Sequence, residues 1–208
     1  GANAVNGVIN IITKPASATQ GTLVAGAVGT QERAAGAVRF GDSFAEGTGH
    51  YRVYAKHTRR EQGLTSAGED ASDDFDRSRA GFRADWKTDA DNAFRAQGGV
   101  TTGRLGETAT LFQPTAPFAQ TVRERDKLLN ADLLASWTRK LSATSEFSLQ
   151  TYYNRESFRW PQVEATNDTF DVEFQHRMAP LDRHDFIWGA GYRLNSDDVK
   201  SNFSLSVE

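Results

Sequence analysis

The sequence predicts an all-β chain: an antiparallel, up-and-down transmembrane β-barrel portion of about nine long strands. Three observations predict it: a period-two hydropathy pattern, connections that alternate between short and long, and aromatic residues gathered beside the short connections. Apolar side chains recur at every second position in segment after segment from Gln20 onward. A period of two means strands with two different faces.

One phase holds Tyr51, Val53, Ala55 and His57, then Ala80, Phe82, Ala84 and Trp86, then Phe94, Ala96, Gly98 and Val100. It continues through Leu129, Ala131, Leu133, Ala135 and Trp137, and through Phe147, Leu149, Thr151 and Tyr153. It closes with Phe170, Val172, Phe174 and His176, and with Phe186, Trp188, Ala190, Tyr192 and Leu194. No Asp, Glu, Lys or Arg occurs in that set, although the chain is 25% charged. The other phase collects the charges, and Arg52, Arg79, Arg83, Arg95, Asp132, Asp171, Glu173 and Arg193 are its candidate lumen-facing residues.

A sheet with one dry face fits either the core of a soluble sandwich or lipid. Globular strands usually run about 5–6 residues, whereas a tilted spanning strand needs about 9–11. The segments 75–88, 126–140, 145–158 and 184–196 are long in that sense. Hydrophobic content is only 38% and mean hydropathy is -0.58. A barrel wall has that composition because only alternate residues touch lipid.

Short connections are expected near 45–49, 88–92, 141–145 and 179–183, and long ones near 62–74, 104–125 and 158–167. Short turns at one end and long loops at the other are the habit of outer-membrane barrels. A Greek-key sandwich has no reason to sort its connections by parity. Tyr51, Trp86, Phe94, Trp137, Phe147, Phe174 and Phe186 sit near the short turns in the dry phase, and are expected to form a membrane girdle.

The first residues differ from the rest. The stretch GANAVNGVINIITK carries an apolar run, Val8, Ile9, Ile11 and Ile12, with apolar residues in both phases, as in a short buried strand. Pro15 ends any ladder, and 16–20 reads as a linker. On Gly1, Asn3, Ala4, Val5, Asn6, Gly7, Val8, Ile9, Asn10, Ile11, Ile12, Thr13 and Lys14 the chain resembles the end of the plug domain of TonB-dependent outer-membrane receptors. The resemblance implies that 1–19 is the C-terminal end of a plug domain with its linker, and 20–208 the N-terminal part of a larger barrel around a plugged lumen. The chain then reads as a fragment, lacking most of the plug, the energy-coupling box, a signal peptide and the closing strand.

For the parent protein the resemblance implies uptake of a scarce solute, most often an iron–siderophore complex, across the outer membrane of a Gram-negative bacterium. Energy would come through the periplasmic protein TonB, acting on parts absent here. The partners implied are outer-membrane lipid and lipopolysaccharide, TonB, and a metal chelate such as a ferric siderophore. No enzymatic activity and no cofactor are expected. Candidate ligand-loop residues are Phe112, Phe118, Arg123, Arg125, Arg155, Arg159 and Trp160, since rings stack on planar chelators and guanidinium groups attract anionic ones. The alternatives are a small outer-membrane channel or adhesin barrel, and a soluble β-sandwich binding module.

Other chemistry finds little footing. There is no cysteine, so no disulfide or thiolate metal site. A net charge of -3 gives no basic footprint for nucleic acid. Glu69, Asp70, Asp73, Asp74 and Asp76 lack the spacing of an EF-hand and read as a solvated loop, and His50, His57, His176 and His184 are scattered, so no metal site is expected. The common hydrolase and nucleotide-binding motifs do not occur.

Overall fold

The computed structural model describes residues 12–161, 163–181 and 183–200. A 3-10 turn, Ala16–Thr19, leads into nine strands: β1 Gly21–Ala27, β2 Ala34–Phe44, β3 Gly49–Arg60, β4 Phe75–Lys87, β5 Asn92–Phe112, β6 Ala119–Ser142, β7 Ser145–Arg159, β8 Glu164–Leu181 and β9 His184–Lys200. Each strand pairs antiparallel with the next, so the sheet order is the chain order and the sheet is open between β1 and β9. This is an all-β up-and-down meander, as the hydropathy period predicts.

The ladder carries each face intact from strand to strand. Val53 lies opposite Phe82, Phe82 opposite Gly98, Gly98 opposite Leu133, Leu133 opposite Tyr153, Tyr153 opposite Phe170 and Phe170 opposite Leu194. A one-residue slip anywhere would flip every later side chain to the other face. None occurs along that row, so the uncharged phase occupies one side of the sheet, with Asp42 on β2 as a charge within it opposite Tyr51, and the charged phase the other.

No second layer covers the uncharged side among the described residues. Phe82 is 39% exposed, Leu133 50% and Trp188 51%. Among the described residues the buried apolar ones are Ala16, Ala109, Leu111 and Ala165. A β-sandwich would seal those rings between two sheets.

All four short connections fall where the sequence places them, and 62–74 is a long connection with one isolated bridge, Leu64 to Asp70. The other two long loops are different. The region 104–125 is mostly ladder, because β5 runs 21 residues and β6 runs 24 around a tip at 113–118. Likewise β7 and β8 shorten the third loop to 160–163. In the β5–β6 extension Arg104, Thr108, Arg123 and Arg125 stand in the formerly uncharged phase and Leu105, Ala109 and Leu111 in the other, so the earlier alternation does not continue in register while backbone pairing does.

Candidate functional site

The charged side of the sheet receives the N-terminal segment. Pro15, with φ fixed near -60°, starts the 3-10 turn, and the Ala18 N–H donates back to the Pro15 carbonyl at 3.2 Å. Gln20 Nε2 and Thr19 Oγ1 donate to the Ala16 carbonyl at 2.7 and 3.0 Å. Gly21, at φ +79°, then turns the chain into β1 through a conformation other residues resist.

Three charged side chains from β3 and β4 hold this segment. Arg83 donates through Nε and Nη2 to the two oxygens of Asp85, each at 2.8 Å. Its Nη1 donates to the Thr13 hydroxyl and carbonyl oxygens at 2.8 and 3.2 Å. The Ala16 N–H donates to Asp85 Oδ2 at 2.7 Å. Arg52 Nη1 donates to the Lys14 carbonyl at 2.6 Å and to Thr19 Oγ1 at 3.3 Å. Arg83 is only 8% exposed, and its fork is satisfied on both edges, the strong form of a charge-assisted pair.

Gly41 on β2 completes the seat. A Cβ there would stand 2.5 Å from the Thr19 carbonyl oxygen, so only glycine lets the turn lie this close. Beside the seat is an open cavity of about 770 Å³, lined by Pro15, Ser17, His50, Arg83, Asp85 and Arg95 among others. The Arg95 Nε is buried and has no hydrogen-bond partner among the described residues.

The remaining predicted lumen-facing residues share this side. Arg79 reaches across four strands, to the Tyr54 hydroxyl and Thr101 Oγ1 at 3.0 Å and to Asp132 at 3.2 Å. Arg193 pairs with Asp171 at 2.9 Å and lies over the Tyr152 ring. Glu173 sits opposite Gln150 and Gly191 in the same phase.

On the other side, aromatic rings run in one line from β2 to β9. Phe40 meets Tyr51, Tyr51 meets Phe44, Phe44 meets Trp86, and Trp86 meets Phe94, at centroid distances of 6.2, 6.4, 6.0 and 6.0 Å. Phe94 stacks on Trp137, which meets Phe147 edge-on at 4.9 Å. Phe147 leads to Phe174, and Phe174 to Trp188 at 5.3 Å. Phe186 stands apart, stacked on His184. Phe44 and Trp188 extend the row beyond the girdle residues read from the sequence.

Away from this row, the same face stays uncharged for a limited height. On β2, Asp42 opposite Tyr51 is a charge already beside the rings; on β3 to β6 the first charges toward the long connections are Arg59, Asp76, Arg104 and Lys127, four residues in a single cross-strand row. On β7 and β8 they are Arg155 and Asp168, opposite one another. Between the charges and the rings, β4 offers positions 78 to 86. At about 3.3 Å per residue and a tilt near 40°, that is roughly 20 Å, close to the ~25 Å apolar band of spanning barrels.

Of the predicted ligand-loop residues, Arg155 is one of those charges and the others lie beyond them. Phe112 ends β5, Phe118 sits in the tip at φ +61°, and both are exposed. Arg123, Arg125, Arg155 and Arg159 are on strands β6 and β7, in the phase of the uncharged side. Arg125 pairs with Asp74 at 2.9 Å, Arg159 with Glu164 at 2.7 Å, and Arg155 lies 3.9 Å from Asp168. Trp160 packs on Phe158. Also at this end, Asp126 is 6% exposed beside Glu107 and Glu124, and burial together with those carboxyls pushes its pKa from 3.8 up to about 7.

Of the predicted plug motif, Gly1, Asn3, Ala4, Gly7, Val8, Ile9, Asn10 and Ile11 lie outside the described residues. Ile12 is exposed, while Thr13 and Lys14 are the two motif residues bonded to the sheet. Sequence reasoning missed Asp85 and Gly41 as site residues. Asp85 was readable as the i+2 partner of Arg83 on one strand face; Gly41 was not, since its role depends on where a distant turn lands. No group of three or more potential metal ligands occurs among the described residues. No family model, no curated protein and no solved structure matches the chain.

Proposed function

We propose that this chain is the end of the plug and the first part of the barrel of a TonB-dependent receptor in the bacterial outer membrane. The observation that carries the proposal is the two-sidedness of the sheet. One side holds the N-terminal segment through Arg52, Arg83 and Asp85, as a barrel lumen holds a plug. The other offers an uncharged band of spanning height bordered by rings.

In this reading the short turns face the periplasm and the β5–β6 and β7–β8 ends face outward. The parent receptor imports a scarce solute, a ferric siderophore in the leading case, with TonB supplying the energy. Phe112, Phe118 and Arg123 stand at the outer end, and of the three only Arg123 is cationic, with no carboxylate partner among the described residues. The test is deletion of the gene that carries this chain, followed by uptake of labelled ferric chelates under iron limitation. Uptake of at least one chelate should disappear and return on complementation. Unchanged uptake of all chelates would contradict the import assignment.

A further inference from the structure

We propose that the uncharged side holds one glycerophospholipid: an acyl chain lies in a trough across β4–β7, and the lipid phosphate is bound by Arg139. The inference rests on the membrane reading above and deepens it.

The trough follows from the register. Ala84, Ala96, Ala135 and Thr151 stand directly opposite one another on four consecutive strands. The next row toward the short turns is Trp86, Phe94, Trp137 and Leu149; on the far side Phe82 and Leu133 rise around Gly98. Small side chains between two rows of large ones leave a channel of about 290 Å³, opening among Phe44, Trp86, Phe94 and Trp137. In its wall Phe94 and Trp137 stack within 4° of parallel, and Trp137 Nε1 donates to Asn92 Oδ1 at 3.0 Å. In a tilted barrel a cross-strand row runs obliquely through the bilayer, a direction a hydrocarbon tail can follow.

The cation supplies the polar half. Arg139 lies two residues beyond Trp137 on the same face, opposite Asn92 and Phe147. It is exposed and has no carboxylate partner among the described residues. A guanidinium fork matches phosphate bidentately, and here it stands at headgroup height next to the ring row. An apolar channel and, across its Trp137 wall, a cation with no carboxylate partner among the described residues complement an amphiphile bearing one phosphate. The short-turn side faces the periplasmic leaflet, which selects glycerophospholipid over lipopolysaccharide.

The test is native mass spectrometry of the parent receptor that carries this chain, extracted from membranes in mild detergent, counting retained lipids. Wild type should keep one glycerophospholipid per chain. Arg139→Gln, a surface change that leaves the ladder intact, should lower retention about tenfold, and Ala135→Leu, which fills the channel, by a similar factor. Equal retention by wild type and both membrane-inserted variants would overturn the lipid site and leave the membrane reading standing. A parent receptor recovered only in the soluble fraction would defeat both. Recovery of lipopolysaccharide instead, or of a dimer without lipid, would also overturn the site.

Discussion

Arg83 is the residue on which the seat turns, because it alone bonds both the N-terminal segment and the carboxylate that holds the Ala16 N–H. Arg83→Ala leaves Asp85 without its ion partner and Thr13 without its donor. Losing charge-assisted bonds of this kind costs about 1.5–3 kcal/mol, so amide exchange at Ala16 is expected to rise roughly 10–100-fold. Exchange measured by mass spectrometry or NMR checks this; an unchanged rate would mean the turn is held by something else. Asp126 provides a second residue-scale expectation. Its folded pKa is raised from 3.8 to about 7, so the folded arm binds the extra proton. Stability from this group is therefore full below about pH 4, falls as the pH rises to about 7, and stays lowered above it. Protection factors of the β5–β6 arm, with the intrinsic pH dependence of exchange divided out, should fall across that window in the native chain and stay level in Asp126→Asn.

At the scale of elements, the 3-10 turn and β2 meet through Gly41. Gly41→Ala places a Cβ against the Thr19 and Tyr51 carbonyl oxygens, at 2.5 and 3.0 Å, so either the turn lifts or β2 bends. The expected outcome is loss of Ala16 protection with the β3–β8 ladder unchanged; protection equal to the native chain would show that the seat tolerates the methyl. This contact also marks the limit of what the chain discloses by itself. Strand number, face assignment and short turns were legible because lipid-like and water-like positions alternate with period two from Tyr51 to Leu194. The extensions of β5 and β6 past Arg104 and Lys127 were not, because there Arg123 and Arg125 enter the formerly uncharged phase while Leu105, Ala109 and Leu111 take the other, so the alternation does not continue in register. Arg83 and Arg52 could be placed on the right side by phase. Their bonds to Thr13 and Lys14 could not, since these join positions far apart in sequence.

At the scale of the whole molecule, the two sides of the sheet should respond oppositely to the same change. Leu133→Arg puts a charge in the middle of the uncharged face, where a barrel in lipid loses about 2–4 kcal/mol. Asn130→Arg adds the same group three residues away on the polar side and should cost far less. Folded yield in vesicles compares the two, and equal yields would show that the faces are not differently solvated. The most direct measurement is collision accessibility of spin labels placed at positions 82, 100, 133 and 170 on one face and 97, 101 and 130 on the other, in lipid vesicles. Dissolved oxygen should reach the first set in preference to a water-soluble nickel reagent, and the order should reverse at the second. Equal nickel access at both sets would contradict the claim that hydrocarbon is what the uncharged side touches.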